Sequence, residues 1–525
     1  MSTSKPIKRA LISTSDKSGL VEFANQLVDL GVEIIATGGT ASLLAENTIS
    51  ITEVADYTGF PEIMDGRVKS LHPKIHGGLL GRRGIDDKVM AQHGILPIDL
   101  VVVNLYPFQQ TIYDPECTLE KALEHIDVGG PTMLRAAAKN FPDVTVIVDP
   151  QDYQWILEEM QSHEGSTTFK TRQTLAQKTF SHLANYDKAI AEYLAKDDKP
   201  LSSELFPKDF EPHYQKKTEL RYGENPHQQA AFYRSIPSQP NSLAQAKQWQ
   251  GKELSFNNLM DTDCALACAR IFSSQIPCCV IVKHATPCGA AQGHNQLDAY
   301  NKAYATDPTS AFGGIIAFNT PLEAETAEKI ISQQFVEVLI APSITNDAFI
   351  YLRTKPNIRV LTCGQLTHPI HSFTLHSISG GLLIQQSDTQ PLNPNELRIV
   401  SRREPTHSEL GNLLFAWDVV KFVKSNAIVY AKDRATLGIG SGQTSRIFAA
   451  KIAALKAKEA NLSLEGSVMA SDAFFPFSDS IELAGSLGVT AVIQPGGSKR
   501  DAEVIAAADS ANIAMVFTNM RHFRH

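Results

Sequence analysis

Short apolar runs alternate with amphipathic segments in the first part of the chain, and this alternation constrains the fold more than any other feature. Residues 100–104 (LVVVN) form a continuous apolar run, which is typical of a strand buried on both faces. Further strands are predicted at 8–13, 32–36 and 144–148, and helices at 19–30, 131–139, 151–161 and 171–196. Alternation of this kind predicts a doubly wound α/β domain whose sheet is mostly parallel.

A stretch rich in charge and proline follows at 197–217 and is predicted to be a linker. We therefore expect a first domain at 1–196 and a second at 218–525. The second domain has room for two subdomains, with a break near 360–395, and the sequence shows no internal repeat. Its strands are predicted at 279–282, 314–318, 490–494 and 513–518, and its helices at 261–272, 409–423 and 445–459.

Composition excludes several classes of protein. The 525 residues carry a net charge of −8, which argues against a general nucleic-acid-binding protein. Seven cysteines without regular spacing predict free thiols in a reducing compartment. The start has no apolar signal region, and no apolar run approaches the roughly 18 residues of a membrane span. We expect a cytoplasmic protein.

Two loops in the first part place small polar residues between a predicted strand and a predicted helix. They are STSDKSG at 13–19 and TGGT at 37–40. Such loops direct backbone N–H groups and a helix N-terminus at one point, which suits a phosphate, although simple turns would look similar. The candidate residues are Ser13, Ser15, Lys17, Thr37, Gly38, Gly39 and Thr40.

Other polar residues of the first part are candidates for one pocket. Arg67 and Lys69 alternate in the glycine- and proline-rich stretch GRVKSLHP, and Tyr106 follows the LVVVN strand. Asp127 precedes a predicted helix that ends at Lys139. A capped surface helix with solvated cations is the alternative interpretation of that last segment.

Lys283 and His284 stand side by side where the apolar strand of VIVKHATPCG ends. A partly buried lysine and a histidine suit proton transfer and charge stabilisation. A lysine reaching solvent beside a structural histidine would give the same pattern. Three other stretches are possible binding segments: RYGENPHQ (221–228), the glycine-rich GIGSGQTSR (438–446) and the basic-aromatic end MRHFRH.

A zinc deaminase is disfavoured by the sequence. His407 and Glu409 match the H-x-E part of that signature, but Ala291 stands where the second cysteine of P-C-x-x-C is needed. The two parts of the signature also occur in reversed order along the chain.

Taken in order, the strings resemble the PurH family of bifunctional purine-biosynthesis enzymes across essentially the whole chain. The strings are SDKSG, TGGT, GRVKSLHP, NLYPF, IDVGGPTMLRAAAKN, LRYGENPHQ, VKHATPCG, SNAIVYAK, GIGSGQTSR, SDAFFPF, IQPGGS and MRHFRH. The resemblance implies a methylglyoxal-synthase-like domain followed by two cytidine-deaminase-like α/β subdomains without the deaminase zinc. It also implies a homodimer whose formyltransferase sites are built from both subunits, with no nucleic-acid or membrane partner.

The resemblance implies two reactions. The amine of AICAR takes a formyl group from 10-formyltetrahydrofolate, and the formylated product then closes its ring with loss of water to give IMP. For formyl transfer it implies catalytic roles for Lys283, His284 and Asn426, with substrate binding by Arg221, Tyr222, Asn258, Glu337, Gln443, Arg446 and Phe523. For ring closure it implies catalytic roles for Lys69, Tyr106, Asp127 and Lys139, with Arg67 and the two phosphate loops binding the nucleotide. No catalytic metal is implied.

Two positions depart from the family pattern. Thr286 stands where asparagine or serine is usual, and a small effect is expected because a hydroxyl remains. Ser478 stands where many relatives have arginine, so folate affinity is expected to shift if that arginine contacts ligand or partner. A chain with only one working activity and a non-catalytic nucleotide sensor are the alternatives that a coupled assay would separate.

Overall fold

The computed structural model describes residues 4–64, 66–112, 114, 116–195, 205, 206, 208, 210–236, 238–366 and 373–525. The chain divides into two compact units, Met1–Phe210 (unit 1) and Glu211–His525 (unit 2). Within the predicted linker, residues 197–204, 207 and 209 lie outside the described residues. The predicted boundaries at 196 and 218 stay a prediction.

Unit 1 contains a five-stranded sheet in the order β4-β3-β2-β5-β6, and every neighbouring pair is parallel. A separate antiparallel pair joins β1 and β7. The strands are β1 (Ser4–Pro6), β2 (Arg9–Thr14), β3 (Glu33–Ala36), β4 (Thr52–Glu53), β5 (Leu100–Asn104), β6 (Thr145–Ile147) and β7 (Ser166–Thr168). The helices are α1 (Leu20–Asp29), α2 (Gly38–Glu46), α3 (Val54–Thr58), α4 (Pro73–Leu80), α5 (Asp87–Gln92), α6 (Phe108–Ile112), α7 (Leu119–Glu124), α8 (Gly129–Lys139), α9 (Tyr153–Ser162) and α10 (Phe169–Leu194).

The core of unit 1 explains why these segments fold as they do. In α1, Leu20, Phe23, Ala24 and Leu27 are buried, at the spacing that gives a helix one apolar face. Residues 100–103 of β5 are buried, as expected for a central strand covered on both faces. The predicted parallel α/β domain is confirmed.

Unit 2 contains one twelve-stranded sheet and two separate hairpins, β8–β9 and β16–β17. Its strands are β8 (Tyr214–Leu220), β9 (Ala230–Ser235), β10 (Lys247–Gln250), β11 (Cys278–Lys283), β12 (Thr286–Gln292), β13 (Gly314–Phe318), β14 (Val336–Ala341), β15 (Arg359–Thr362), β16 (Phe373–Ile378), β17 (Gly381–Gln386), β18 (Arg398–Ile399), β19 (Ile428–Lys432), β20 (Ala435–Gly440), β21 (Val468–Ser471), β22 (Ala491–Gln494) and β23 (Ala514–Phe517). Its helices are α11 (Phe256–Arg270), α12 (Gln296–Thr306), α13 (Pro308–Ala311), α14 (Ala324–Gln333), α15 (Asn346–Leu352), α16 (His407–Val420), α17 (Arg446–Glu459), α18 (Asp479–Ser486) and α19 (Asp501–Ser510).

The large sheet is built from two halves with the same plan, in keeping with the two similar subdomains that the resemblance implies, although no internal repeat is visible in the sequence. Its order is β10-β15-β14-β13-β11-β12-β20-β19-β21-β22-β23-β18. In each half an antiparallel hairpin (β11–β12 or β19–β20) is followed by three mutually parallel strands (β13–β15 or β21–β23). What repeats is the order and direction of the strands, whereas most side chains differ between the halves.

The halves meet where β12 pairs with β20, antiparallel. Since every pair from β11 to β19 is antiparallel, β11 ends on the same edge of the sheet where β19 begins. We call this edge, where β11 ends at Lys283, the Lys283 edge. The opposite edge, where β19 ends before Arg434, is the Arg434 edge.

Helices cover both faces of this sheet. Val280 and Val282 of β11 pack with residues of α11 and α16 in one core cluster. Cys279 and Ile281, which point to the other face, pack in a separate cluster with α12 and α14. This alternation makes β11 continuously apolar in sequence. None of the helices in the described part of the chain is both long and apolar enough to cross a membrane.

Candidate functional site

The two predicted phosphate loops of unit 1 lie together at the carboxyl ends of β2 and β3. The hydroxyls of Ser13 and Thr37 are 2.7 Å apart. Thr40 Oγ1 accepts from the Thr14 N–H (3.1 Å) and from Lys17 Nζ (2.8 Å). Burial lowers the pKa of Lys17. The loops therefore form one polar surface with a partly buried cation beneath it.

Asn104, at the end of β5, fixes the first of these loops and was missed in the sequence analysis. Its Oδ1 accepts from the N–H groups of Ser15 (2.6 Å) and Asp16 (2.9 Å) and from the Ser15 hydroxyl (3.0 Å). A polar residue ending an apolar strand was the available signal, because ligands gather at the carboxyl ends of parallel strands.

Lys69 and Asp127 lie near this surface. A Cβ atom on Gly38 would lie 3.6 Å from Lys69 Nζ, so the ammonium stands beside the second phosphate loop. Burial raises the pKa of the Asp127 carboxyl, opposed by the Gly130 N–H, which donates at 2.8 Å, and by the charge of Lys69. Tyr106 is half-exposed, and its ring centroid is 6.4 Å from that of His125, two residues before Asp127.

Two other predicted residues of unit 1 make contacts outside this group. Arg67 forms an ion pair with Glu124. Lys139 is the last residue of α8, about 15 Å along the helix axis from its first residue, Gly129. There it lines a groove of about 750 Å³ together with Leu71, His76, Leu80, Thr132, Arg135, Ala136, Ala138, Phe141, Gln173, Ala176, Gln177 and Phe180. Its part in ring closure stays a prediction.

In unit 2, Lys283 and His284 stand at the β11–β12 turn. His284 and Ala285 both have φ of 55°, a left-handed backbone unusual for residues with a side chain. The carboxylate of Asp261 accepts from both of their N–H groups, at 3.2 and 2.6 Å. Lys283 Nζ donates to the Gly313 carbonyl at 2.8 Å, and the His284 side chain is exposed.

A hydrogen bond connects this turn to the second half of unit 2. The hydroxyl of Thr286 accepts from the Lys424 N–H at 3.3 Å. Two residues further on, Asn426 Nδ2 donates to the Gln443 carbonyl (2.7 Å), and its Oδ1 accepts from Arg446 (2.8 Å). Residues predicted from three separate stretches thus lie on one edge of the sheet.

Asp472, in SDAFFPF, organises the second half of this site and was not among the predicted residues. It is fully buried and forms an ion pair with Arg446. Its carboxylate also accepts from the Ser425 hydroxyl (2.5 Å) and the Ala427 N–H (3.2 Å). An aspartate directly after an apolar run was the available signal.

The C-terminal tail is held against the same residues. The His522 N–H donates to the Asp472 carbonyl at 3.0 Å. Ser425 and Arg524 exchange two bonds, at 2.8 and 3.1 Å, through backbone and hydroxyl groups. Phe523, between these anchors, is half-exposed. The tail is therefore fixed beside Asn426 and Arg446.

Exposed aromatic rings stand beside Lys283. Phe312 and Phe335 have ring centroids 5.6 Å apart, and 64% and 48% of their surfaces are exposed. A Cβ atom on Gly313 would lie 3.2 Å from Lys283 Nζ and 3.5 Å from the Phe335 ring, so cation and ring are neighbours. Exposed aromatic rings next to a cation are suited to contact with an aromatic ring system.

Three of the remaining predicted residues of unit 2 have structural partners. Asn258 caps α11, exchanging hydrogen bonds with Ser255. Glu337 pairs with Arg359 at 2.7 Å, near the start of β14 and thus on the Lys283 edge. Arg221 stands over the ring of Tyr222 at 5.6 Å.

Glu409, from the H-x-E match to the zinc deaminase signature, stabilises the start of α16 instead. Glu409 completes a capping box with Thr406 and pairs with Arg403 at 2.8 Å. Among the residues that the structure describes, no group of three or more His, Cys, Asp or Glu side chains is placed to hold a metal ion.

Comparison with known proteins supplies the family. A model described as the AICARFT/IMPCHase bienzyme matches residues 137–456, more than half of the chain, and a model of the MGS-like domain matches residues 19–132. A solved structure described as the crystal structure of ForH is 36% identical, covering 36% of this chain and 99% of its own, with a TM-score of 0.33.

The bienzyme model names two activities, AICAR formyltransferase and IMP cyclohydrolase, and such formyltransferases use a folate-derived donor. This protein is accordingly a bifunctional enzyme of purine biosynthesis with small-molecule substrates. The chain belongs to the AICARFT/IMPCHase bienzyme family.

Proposed function

We propose that the two reactions are divided between the two units. Formyl transfer from 10-formyltetrahydrofolate to AICAR takes place at the Lys283 edge of unit 2, and ring closure takes place beside Lys69 and Asp127 in unit 1. The observation that carries this assignment is the Thr286–Lys424 hydrogen bond, because it ties the Lys283–His284 turn to the segment bearing Asn426.

In formyl transfer, the AICAR amine attacks the formyl carbon of the folate. His284 takes the proton that the amine loses, a role that its exposed imidazole suits. Lys283 stabilises the tetrahedral oxyanion or gives a proton to the departing folate nitrogen. Asn426 positions the reacting groups, and Arg446 holds the Asn426 carbonyl oxygen at 2.8 Å.

The aromatic pair beside Lys283 supports folate as the formyl donor. Phe312 and Phe335 offer exposed aromatic rings within reach of the Lys283 ammonium. A pterin ring stacked there would bring its formyl group toward the Lys283–His284 turn. Ser478, whose hydroxyl donates to Glu482 at 2.7 Å, supplies no cation where many relatives have arginine, so folate affinity should shift if that arginine contacts ligand or partner.

In ring closure, the carboxamide nitrogen attacks the formyl carbon and water leaves. Lys69 stabilises the oxyanion, while Tyr106 and Asp127 orient the formyl group and the amide. The phosphate binds the Ser13 and Thr37 loops, where the Lys17 ammonium compensates its charge.

Lys69→Ala tests the division between units. We expect the variant to lose ring closure of supplied formyl-AICAR while formyl transfer to AICAR continues, measured as IMP and tetrahydrofolate formation respectively. Lys88→Ala, at an exposed position of α5, is the control in the same unit, and Lys139→Ala tests separately the part in ring closure that the resemblance implies for a lysine lining another groove. Loss of both activities in Lys69→Ala would contradict the division. Loss of ring closure in Lys139→Ala would instead support the role predicted from sequence.

We further propose a cytoplasmic homodimer whose formyltransferase sites draw residues from both chains. All seven cysteines are free, in keeping with a reducing compartment. Mixing Lys283→Ala chains with Arg221→Ala chains tests the shared site. If Arg221 comes from the second chain, heterodimers contain one intact site, and about a quarter of the activity returns. If mixing restores no activity, Lys283 and Arg221 of each site belong to the same chain.

A further inference from the structure

We infer that Asp261 is a positioning residue for formyl transfer, because its carboxylate holds the turn that presents Lys283 and His284. The inference deepens the proposed function and rests on it, since Asp261 acts only through these two residues. Asp261 acts by fixing the geometry of the turn.

The turn needs support from outside. A two-residue hairpin turn of this kind requires positive φ at both central positions, where glycine and asparagine are favoured. His284 and Ala285 occupy those positions with φ of 55° each. Alanine disfavours that backbone and histidine adopts it only in a minority of cases, so local sequence preference does not fix the conformation.

Helix α11 provides the support. The two oxygens of Asp261 accept from the N–H groups of His284 (3.2 Å) and Ala285 (2.6 Å). Three residues along the same helix, Cys264 Sγ donates to the Ala285 carbonyl at 3.3 Å. Residues three apart share one helix face, so α11 holds the turn through both donors and an acceptor. The capping box at Ser255 fixes the start of the helix itself.

The second half of unit 2 contains a matched position. Asn412 is the sixth residue of α16, as Asp261 is the sixth of α11. The β19–β20 turn also has two residues with positive φ, Asp433 and Arg434, and the Arg434 N–H donates to Asn412 Oδ1 at 2.9 Å. An amide has one acceptor oxygen, whereas a carboxylate has two. The turn with the predicted catalytic pair therefore has the anchor that can hold both peptide groups.

Two bonds to one carboxylate fix both peptide planes of the turn, and with them the directions of the Lys283 and His284 side chains. Reactions at such sites are sensitive to displacement of about 1 Å, which can cost about 100-fold in rate. Substrate affinity depends less on these two side chains than the chemical step does, so the loss should fall on kcat.

The test compares Asp261→Ala and Asp261→Asn with Asn412→Ala. We expect Asp261→Ala to lower kcat of formyl transfer by about 10- to 100-fold, with KM for AICAR and for formyl-folate nearly unchanged. Asp261→Asn keeps one acceptor oxygen and should retain more of the rate. Asn412→Ala removes the equivalent anchor on the other edge and should leave kcat within a few-fold. Ring closure, measured on the same samples, should be unchanged throughout.

Equal kcat losses in Asp261→Ala and Asn412→Ala would overturn the inference, as would a loss confined to KM. If Asp261→Ala does not fold, Asp261→Asn decides, and an unchanged kcat in that variant overturns the inference. A different measurement tests the proposed function itself. If formyl transfer survives in both Lys283→Ala and His284→Ala, the catalytic assignment of these two residues is wrong.

Discussion

The two edges of the twelve-stranded sheet share one backbone plan but differ in charge. At the Lys283 edge, Asp472 follows β21 and its carboxylate accepts from the Ala427 N–H at 3.2 Å. At the Arg434 edge, Asn319 follows β13 in the same way, and its Oδ1 accepts from the Cys278 N–H at 2.7 Å. Aspartate and asparagine thus perform the same structural task.

The same exchange occurs at the helices that follow the hairpins. The first residue of α17 is Arg446, which pairs with Asp472. The first residue of α12 is Gln296, whose Nε2 donates to the Thr320 hydroxyl at 3.0 Å, beside Asn319. Both side chains are buried. Neutral residues therefore suffice for this packing on one edge.

This difference teaches that the charges of the Lys283 edge are not needed for the fold. Burying an ion pair costs desolvation that its attraction offsets only in part, and apolar or neutral replacements often do as well. A buried ion pair kept on one edge, where the matched positions of the other edge carry amides, agrees with the proposal that the Lys283 edge handles an anionic substrate.

The largest difference in formyl transfer between variants of the two edges is expected for Lys283→Ala compared with Lys432→Ala. Both lysines end their strands and donate to a loop carbonyl, Lys283 to Gly313 and Lys432 to Glu465 (3.0 Å). We expect about a 1000-fold fall in kcat of formyl transfer for Lys283→Ala, because an oxyanion-stabilising group is lost. Lys432→Ala should stay within a few-fold. Steady-state kinetics measure both, and comparable losses would mean that the edges do not differ in function.

Comparing His284→Asn with Asp433→Asn separates the chemical role of the imidazole from the conformation of the turn. Asparagine tolerates left-handed backbone, so both variants keep the turn geometry. We expect kcat of formyl transfer to fall by about 100-fold in His284→Asn, since the group that accepts the amine proton is lost. Asp433→Asn should not change it. A fully active His284→Asn would assign proton transfer to another group.

Comparing Asp472→Ala with Asn319→Ala measures how much more stability is lost when the buried group left without its partner is charged. Asp472→Ala leaves Arg446 buried without its partner carboxylate, so the free energy of unfolding should fall by about 3–5 kcal/mol. Asn319→Ala leaves the Cys278 N–H without its acceptor and should cost about 1–3 kcal/mol. Urea unfolding followed by the fluorescence of buried Trp417 reads both. Equal costs would mean that the charge adds nothing to this position.

Thr286→Val should give the smallest effect. It keeps the shape of the side chain but removes the acceptor of the Lys424 N–H bond that ties the two halves together at the site. The loss of one such bond is worth about 1 kcal/mol, so formyl transfer should slow by less than about tenfold. Thr286→Ser, which keeps the hydroxyl, is the control and should show wild-type kcat.

Prediction from sequence worked best for buried strands. The predicted strands at 100–104 and 314–318 have the observed bounds of β5 and β13. The hairpin partner β12 (TPCGAAQ) was not predicted, because Pro287 and Gly289 indicate a turn. A Cβ atom on Gly289 would lie 2.0 Å from the Ala303 carbonyl of α12, so this glycine serves close packing in a strand.

The resemblance to a family supplied most of the candidate site residues, but not those that hold them in place. Asp261 lies at an ordinary position in a helix, and although Asn104 and Asp472 stand out as polar residues at the end of apolar runs, that position does not tell which groups they hold. Their partners are between 23 and 89 residues away in the sequence. Such pairings follow from how elements pack, which periodicity does not report.

By itself, the sequence determined the kinds of element, the parallel α/β class of unit 1 and the candidates for the reactive side chains, because apolar spacing and residue chemistry are local properties. Only the tertiary structure decided which of these side chains share an edge. That outcome depends on the antiparallel meeting of β12 with β20, which places the end of β11 beside the start of β19. A contact between segments more than a hundred residues apart is set by packing of the whole sheet, and no local pattern encodes it.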